Sequence, residues 1–483
     1  MHSPESLAER LREEPGVALL RSSLFDSPEA RYSLVAARPF LRFRSFGSRC
    51  EISAEGGGTR VQFGDPWRLL EGLISRYELL DAIDLPLPLG GCFGYWGYEL
   101  KNFVEPKVSR RATNDLEVPD CQVGFYGSVV AFDHRLGKTW VVATGLSEDG
   151  SRSEERARSE LGVWRERLEG EKPLKRLEGV SCGNSELKPG VNEMGQAEKS
   201  VLQSNLSRAE FIARVQKAKA YIRAGDIYQV NLSHRLTATY DGSAWGLFER
   251  LRATSPAPFS AYLDCGEFQV VSSSPELFLR LSGQHVQTRP IKGTRPRGDG
   301  PDRDAQLAYE LQTSGKELAE LVMITDLLRN DLGRICEYGS VHVPDLARLE
   351  RFAQVQHLVS TVEGRLRPEV SHLAALASCF PGGSITGAPK FRAMEIIDEL
   401  EPIARGPYTG ALGYVGFNRE SQLSILIRSA LCRGQQAYFS VGAGIVADSS
   451  PEAEYDETLA KAQGFLQALS LSAAATADYA KFR

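Results

Sequence analysis

Residues 227–240, IYQVNLSHRLTATY, open the stretch that decides the fold. Four further segments of strand character follow closely: SAYLDCG (260–266), FQVVSSS (268–274), LFLRLSG (277–283) and HVQTRPI (285–291). They are rich in β-branched and aromatic residues and are separated by Gly- and Pro-bearing turns. Strands that arrive in a group, with no helix regularly interleaved, argue against a doubly wound sheet and predict α+β layers.

Upstream of this stretch, Ser207-Arg-Ala-Glu210 has the form of a capping box, and Phe211, Val215, Ala218 and Ile222 recur at helical spacing until Gly225. Downstream the pattern predicts helices over about 303–334 and 387–401, then strands at ALGYVGFN (411–418), LSILIRSALC (423–432) and AYFSVGAGIV (437–446). A helix from about 451 to 470 closes the region. Nearer the N-terminus, residues 16–132 read as short strands and turns, followed by a charged helix over 151–170 and a polar stretch. The expected organisation is a β-rich region 1–170, a linker 171–205, a catalytic region 206–470 and a tail 471–483.

The 483 residues carry 57 Lys+Arg against 62 Asp+Glu, with 42% hydrophobic residues, which are globular proportions. A net charge of −5 gives no global reason to bind nucleic acid, and no apolar run approaches a membrane span. The acidic, polar start MHSPESLAERLREEPG is unlike a secretory signal, so a cytoplasmic setting is expected. The 8 cysteines form no C-x-x-C pair and are expected to be free thiols, so neither a zinc knuckle nor a disulfide framework is indicated.

Four places hold residues suited to chemistry. Glu317 and Glu320, and again Glu454 and Glu457, stand three apart on expected helices and share a face. Two such faces opposed would call for a cation, and hard oxygen ligands suit magnesium. Solvated surface acids have the same spacing, and acids early in the second helix also suit its dipole, so spacing leaves both readings open. TRPIKGTRPRGDG (288–300) is either a basic surface loop or a loop that meets an anionic substrate and presents Lys292 as a nucleophile. PGGSITGAPK (381–390) sets Gly and Ser ahead of a helix, which suits anion binding by backbone N–H groups without the Walker spacing. Two lookalikes are set aside. Cys92 in GGCFG has a nucleophile-elbow look, yet none of the 7 histidines is followed two residues on by Glu. Gly442-Ala-Gly444 lies too near the end of the chain for a dinucleotide-binding unit.

Taken together, GDIYQVNLSHR, SSSPELF, RPIKGTRPRG, KELAELVMITDLLRNDLGR, VQHLVSTVEG, FPGGSITGAPK, YTGALGY, IRSA, VGAGIVADS and EAEYDETLAK resemble, in order, the chorismate-utilising enzymes. The resemblance implies a four-layer α/β/β/α fold with two packed sheets and the site between them. Water-adding members carry a lysine base where this chain has Gln229, so the resemblance implies ammonia as the nucleophile. Anthranilate synthases generally have alanine where this chain has Lys292, which points to the aminodeoxychorismate synthase component I branch, forming 4-amino-4-deoxychorismate for 4-aminobenzoate and folate. The alternatives are anthranilate synthase component I and a binding protein that has lost catalysis.

By the same resemblance, Lys292, Glu276 and His357 are catalytic, with Lys292 the nucleophile, Glu276 the general acid and His357 against the ring. Thr294, Tyr408, Arg428, Gly442, Gly444 and Lys461 bind substrate. Glu320 and Glu457 would bind magnesium, with Glu317 and Glu454 adjacent, and a separate glutamine amidotransferase would supply ammonia. Ser22, Arg31 and Tyr32 mark a region where relatives bind tryptophan, although Arg21 replaces the glutamate of feedback-inhibited members.

Overall fold

A computed structural model describes residues 3–22, 30–54, 56–79, 85–169, 202–240, 242–351 and 355–470. Most of the expected linker and all of the expected tail lie outside these residues.

Two antiparallel sheets, of 11 and 12 strands, form the centre of the molecule. The group of strands that opens the sequence reading divides between them: Gln229–Thr239, Phe259–Asp264 and Gln269–Ser274 enter the first sheet, whereas Leu277–Ser282 and His285–Arg289 enter the second. Strands from residues 18–143 complete both sheets. Ala18–Arg21 pairs with Phe259–Asp264 in the first, and Gly91–Trp96 pairs with Ala411–Gly416 in the second. The two ends of the chain therefore share hydrogen-bonded sheets and a single inter-sheet core.

Alternation along the strands of the first sheet explains the layering. Ala18, Leu34, Ala36, Val129, Ala131, Ala261, Leu263, Val270 and Leu431 face the second sheet. Their neighbours Leu19, Val35, Val130, Phe132, Tyr262, Val271, Ala430 and Cys432 face helices on the outside. A strand buried on both faces must be apolar at consecutive positions, which is why these segments read as unbroken hydrophobic runs. Helices Pro4–Arg10, Ala244–Thr254 and Pro451–Ala468 cover one part of the first sheet, and Arg208–Arg223 with Lys390–Leu400 cover the part around Val230 and Leu232. Helices Pro66–Ile74, Gly315–Gly333 and His372–Cys379 cover the second, completing the expected α/β/β/α order.

Several local expectations hold. The Ser207 capping box is formed, with the Glu210 amide donating to Ser207 Oγ (3.3 Å) and the Ser207 amide to Glu210 Oε2 (2.8 Å). The single helix expected over 303–334 is instead two, Pro301–Gln312 and Gly315–Gly333. The break has a local cause. Thr313 Oγ1 turns back to the Tyr309 carbonyl, and Ser314 Oγ caps the second helix by accepting from the Glu317 amide. The helices at 66–74, 244–254 and 372–379 were hidden among strand-like residues, yet each starts behind a capping side chain: Asp65 to the Trp67 amide (2.9 Å), Ser243 to Gly246 (3.1 Å) and Ser371 to Ala374 (3.0 Å).

His372 pins one of these helices to the second sheet, with Nε2 donating to the Gly283 carbonyl (2.9 Å) and Nδ1 bonded to Ser421 Oγ (2.8 Å). Burial lowers its pKa to about 4 from an ordinary 6.5. The unfolded chain therefore binds a proton there before the folded one does, and this contribution to stability, complete above pH 6.5, is lost as pH falls toward 4. Thermal melts of wild type and His372→Gln should differ most near pH 7 and converge as pH approaches 4. A constant difference across that range would deny His372 this role.

Candidate active site

At one end of the sandwich the two sheets part around a cleft of about 530 Å³, within the usual size of small-molecule sites. Its floor is the antiparallel pair Gln229–Thr239 and Gln436–Ile445, which contributes Asn231, Gly442 and Gly444. The opposite wall is the pair Ile291–Pro296 and Val355–Arg365 of the second sheet, which brings Lys292, Thr294 and His357 together. All thirteen residues expected to act in catalysis, substrate binding or metal binding line this one cleft.

Glu276 follows the strand Gln269–Ser274 and is buried; its amide donates to Ser274 Oγ (3.3 Å). Burial raises its carboxyl pKa above the ordinary range, against the opposing pull of a hydrogen bond with Ser384, the charge of Lys292 and the Ile291 amide. The shift is toward the protonated form, the direction a proton donor requires. Lys292 Nζ lies 3.5 Å from the Ser384 carbonyl. Although TRPIKGTRPRGDG is a basic segment, the Lys292 charge acts on the carboxyls of Glu276 and Glu320. His357 Nδ1 lies 3.0 Å from Thr294 Oγ1 and 3.3 Å from the Gly293 carbonyl, which can only accept, so the hydrogen is assigned to Nδ1. Burial, and secondarily Arg428, lowers the pKa of His357 to about 4, so the ring is neutral at physiological pH.

Arg428 sits at φ +47°, an uncommon conformation for a residue with a side chain, and its carbonyl accepts from the Ser273 amide (2.9 Å). Among the described residues its guanidinium has no ion-pair partner, and burial lowers its pKa. A desolvated cation without a carboxylate partner, facing a cleft, is a receptor for an anion. Gly442 and Gly444 have to lack side chains: a Cβ on Gly442 would stand 2.7 Å from Asn231 Oδ1 and 3.0 Å from Tyr408 Oη, and one on Gly444 2.8 Å from Gln229 Nε2. Lys461 Nζ bridges Glu457 Oε1 (2.8 Å) and the Gly442 carbonyl (2.9 Å).

The two acidic helix faces do meet at the cleft. Burial raises the pKa of Glu320, with Glu317 on its own helix and Glu454 on the other adding to the rise. Burial likewise raises that of Glu454, with Glu457 adding. Lys316 partly offsets both. Among the described residues no three Asp, Glu, His or Cys converge into a ligand cage. The donor set nevertheless fits a hard cation that keeps few protein ligands and completes its shell with water and substrate.

The helix start after PGGSITGAPK does not line the cleft. Gly387–Ala388 pairs with Gln229–Val230, Pro389 at the cap has no N–H, and Lys390 is held by Asp331 (2.5 Å). The segment serves the cleft instead through Ser384 and Ile385. Sequence reasoning missed Asn231, Ser384 and the pair Glu401–Arg405 behind the floor; the signal for the last was two opposite charges inside the otherwise uncharged LEPIARGPY (400–408). Gln229 is wholly buried, and neither atom of its carboxamide has a hydrogen-bond partner.

Ser22, Arg31 and Tyr32 lie away from this cleft. Ser22 and Tyr32 line a separate inter-sheet cavity of about 40 Å³, next to residues 23–29, which lie outside the described ones. Arg31 turns instead to Asp133 (2.6 Å) and stacks over Tyr32 (4.8 Å). Burial pushes the pKa of the Cys92 thiol well up, which rules out a ready nucleophile there. The seven described cysteines are all free, and no described helix is long and apolar enough to cross a membrane.

Residues 21–467 match the model of the chorismate binding enzyme family. Anthranilate synthase component 1 of Acetivibrio thermocellus is 37% identical over 97% of this chain and 93% of its own. Aminodeoxychorismate synthase component 1 of Escherichia coli is 36% identical over 95% of this chain and 94% of its own. The crystal structure of anthranilate synthase component I from Streptococcus pneumoniae superposes with a TM-score of 0.76 at 30% identity, covering 92% of this chain and 94% of that one. By this match and these identities the chain belongs to the chorismate-binding enzyme family.

Proposed function

We propose that this protein is the component I activity of an aminodeoxychorismate synthase, a magnesium-dependent transferase that converts chorismate and ammonia to 4-amino-4-deoxychorismate and water. The observation that carries the reading is Lys292, a primary amine placed in the cleft beside Glu276.

The substrate is a dicarboxylate. Arg428, Tyr408 and Lys461 form the cationic and hydrogen-bonding end that suits the side-chain carboxylate. Glu320 and Glu457, with Glu317 and Glu454 beside them, are the residues that would hold magnesium, which when bound supplies charge balance for the ring carboxylate. The neutral Lys292 amine attacks carbon 2, both ring double bonds shift along carbons 1, 6, 5 and 4, and Glu276 gives its proton to the departing 4-hydroxyl, which leaves as water. Ammonia then attacks carbon 4, both double bonds shift back, the Lys292 amine is released, and the new ammonium returns a proton to Glu276. Splitting one displacement into two in this way is the advantage of a covalent intermediate. Neutral His357 and Thr294 shape the wall against which the ring lies. Gln229 offers no base to activate water, and the buried carboxamide oxygens of Gln229 and Asn231, both without partners, suit the N–H groups of ammonia. Ammonia comes from a separate glutamine amidotransferase in the cytoplasm, and the pyruvyl group stays on the product for a later lyase.

The relatives divide between two activities at similar identity, so anthranilate synthase component I is the second reading. Purified protein with chorismate, magnesium and ammonium salt separates them: the first reading expects 4-amino-4-deoxychorismate without pyruvate, and fluorescent anthranilate with stoichiometric pyruvate would establish the second. Lys292→Ala should slow amination by roughly 10²-fold or more, and unchanged turnover would remove the covalent step.

Glu276→Gln keeps the shape of the side chain but has no proton to give, and should lower kcat by roughly 10²–10⁴-fold. Since the wild-type carboxyl must be protonated and its pKa is raised, wild-type activity should fall as pH rises through that pKa. Residual Glu276→Gln activity should lack this alkaline limb; if the limb persists, another group is the acid.

A further inference from the structure

Arg405 does not line the cleft, yet every N–H of its guanidinium is committed. Nε donates to Glu401 Oε2 (2.8 Å) and Nη2 to Glu401 Oε1 (2.7 Å). The other donors reach three separate segments: Nη2 to the Asn231 carbonyl (2.8 Å), Nη1 to the Ile385 carbonyl (3.1 Å) and Nη1 to Thr409 Oγ1 (3.2 Å). The pair is almost wholly buried, with side-chain exposures of 2% and 6%.

Each of those segments carries part of the site. Ile385 follows Ser384, the residue that contacts both Lys292 and Glu276. Thr409 follows Tyr408 and is held at φ +61°, an unfavourable conformation for a β-branched residue. Asn231 belongs to the floor strand, which Glu401 grips a second time by accepting from the amide (2.8 Å) and hydroxyl (2.9 Å) of Ser233. The backbone amide of Arg405 is itself held by Glu99 Oε1 (3.0 Å).

We propose that Arg405, anchored by Glu401, is a positioning residue that sets the separation between the wall carrying Lys292 and Glu276 and the wall carrying Tyr408. The inference rests on the activity proposed above. A buried ion pair stabilises a fold little better than two apolar side chains of similar size, so fold stability is a weak reason for five directed bonds here. A planar fork that satisfies acceptors on three segments at once fixes their geometry, and a lysine, with three donors on one point, cannot reproduce it. Misplacing reacting groups by about 1 Å is enough to cost roughly 10²-fold in rate.

The test compares wild type, Arg405→Lys and the double variant Glu401→Met/Arg405→Met, the last replacing the pair with apolar side chains so that no buried charge is left unpaired. Ammonium-dependent chorismate consumption gives kcat, calorimetric titration with chorismate and magnesium gives Kd, and thermal melts report folding. Both variants should melt cooperatively, lose roughly 10²-fold in kcat and weaken chorismate binding by less than about tenfold. A kcat within twofold of wild type in either folded variant overturns the proposal, as does a loss in Kd that matches the loss in kcat. If Arg405→Lys does not fold, the double variant decides alone. Wild-type protein that consumes no chorismate overturns the activity itself, and this inference with it, before any variant is compared.

Discussion

Face-to-face packing of the two sheets is the constraint on which the rest of the structure depends. Where the inner faces pack, each inward residue must be apolar, as Leu34, Ala131, Leu263 and Leu431 are. At the cleft end the same inward positions hold Gln229, Asn231, Lys292, Thr294 and His357, none of which a packed inter-sheet layer would satisfy. The sheets must therefore part there. What holds them at a fixed spacing is a set of buried polar links, with Arg405 and Glu401 the most heavily bonded among them.

The cleft gathers opposite charges that the net value of −5 averages away, with Lys292 and Lys316 set beside Glu320. Two helices bring Glu317, Glu320, Glu454 and Glu457 to one side, while Arg428 stands on the other with no anionic partner among the described residues. Lys461 lies between, tied to Glu457 and to the Gly442 carbonyl.

The site was legible in the sequence to the extent that side chains carry it. Lys292, Glu276, Arg428 and the four glutamates declare their chemistry by residue type and by motif, and the cleft collects them. What was hidden depends on the main chain or on distant pairing. Arg405 acts mostly on carbonyl oxygens, which every residue possesses and no pattern marks. The break at Thr313 and Ser314 rests on two hydroxyls whose effect is local, within a run of otherwise good helix formers. The residues of strand 18–21 do not say that their neighbour lies some 240 positions on, because β pairing is specified by packing at both ends of the contact.

That distant pairing has a mechanical consequence for the reaction. Ile425 donates its amide to the Glu276 carbonyl (3.1 Å), and its own carbonyl accepts from Ser274 Oγ (2.6 Å), so the backbone at Glu276 is fixed by strand Glu420–Ile425. That strand pairs with Ala411–Gly416, which pairs in turn with Gly91–Trp96 from the first part of the chain. Gly94 and Gly413 oppose one another in this ladder, and a side chain on either would strike the neighbouring backbone within about 2.1 Å. Glu276, on the two-residue connection between Gln269–Ser274 and Leu277–Ser282, is thus held by the strands around it, and Lys292 lies within a strand of the same sheet as Leu277–Ser282. For the proton-donor role proposed for Glu276 such a mount matters, because opening the site to water would return its carboxyl pKa toward the ordinary range.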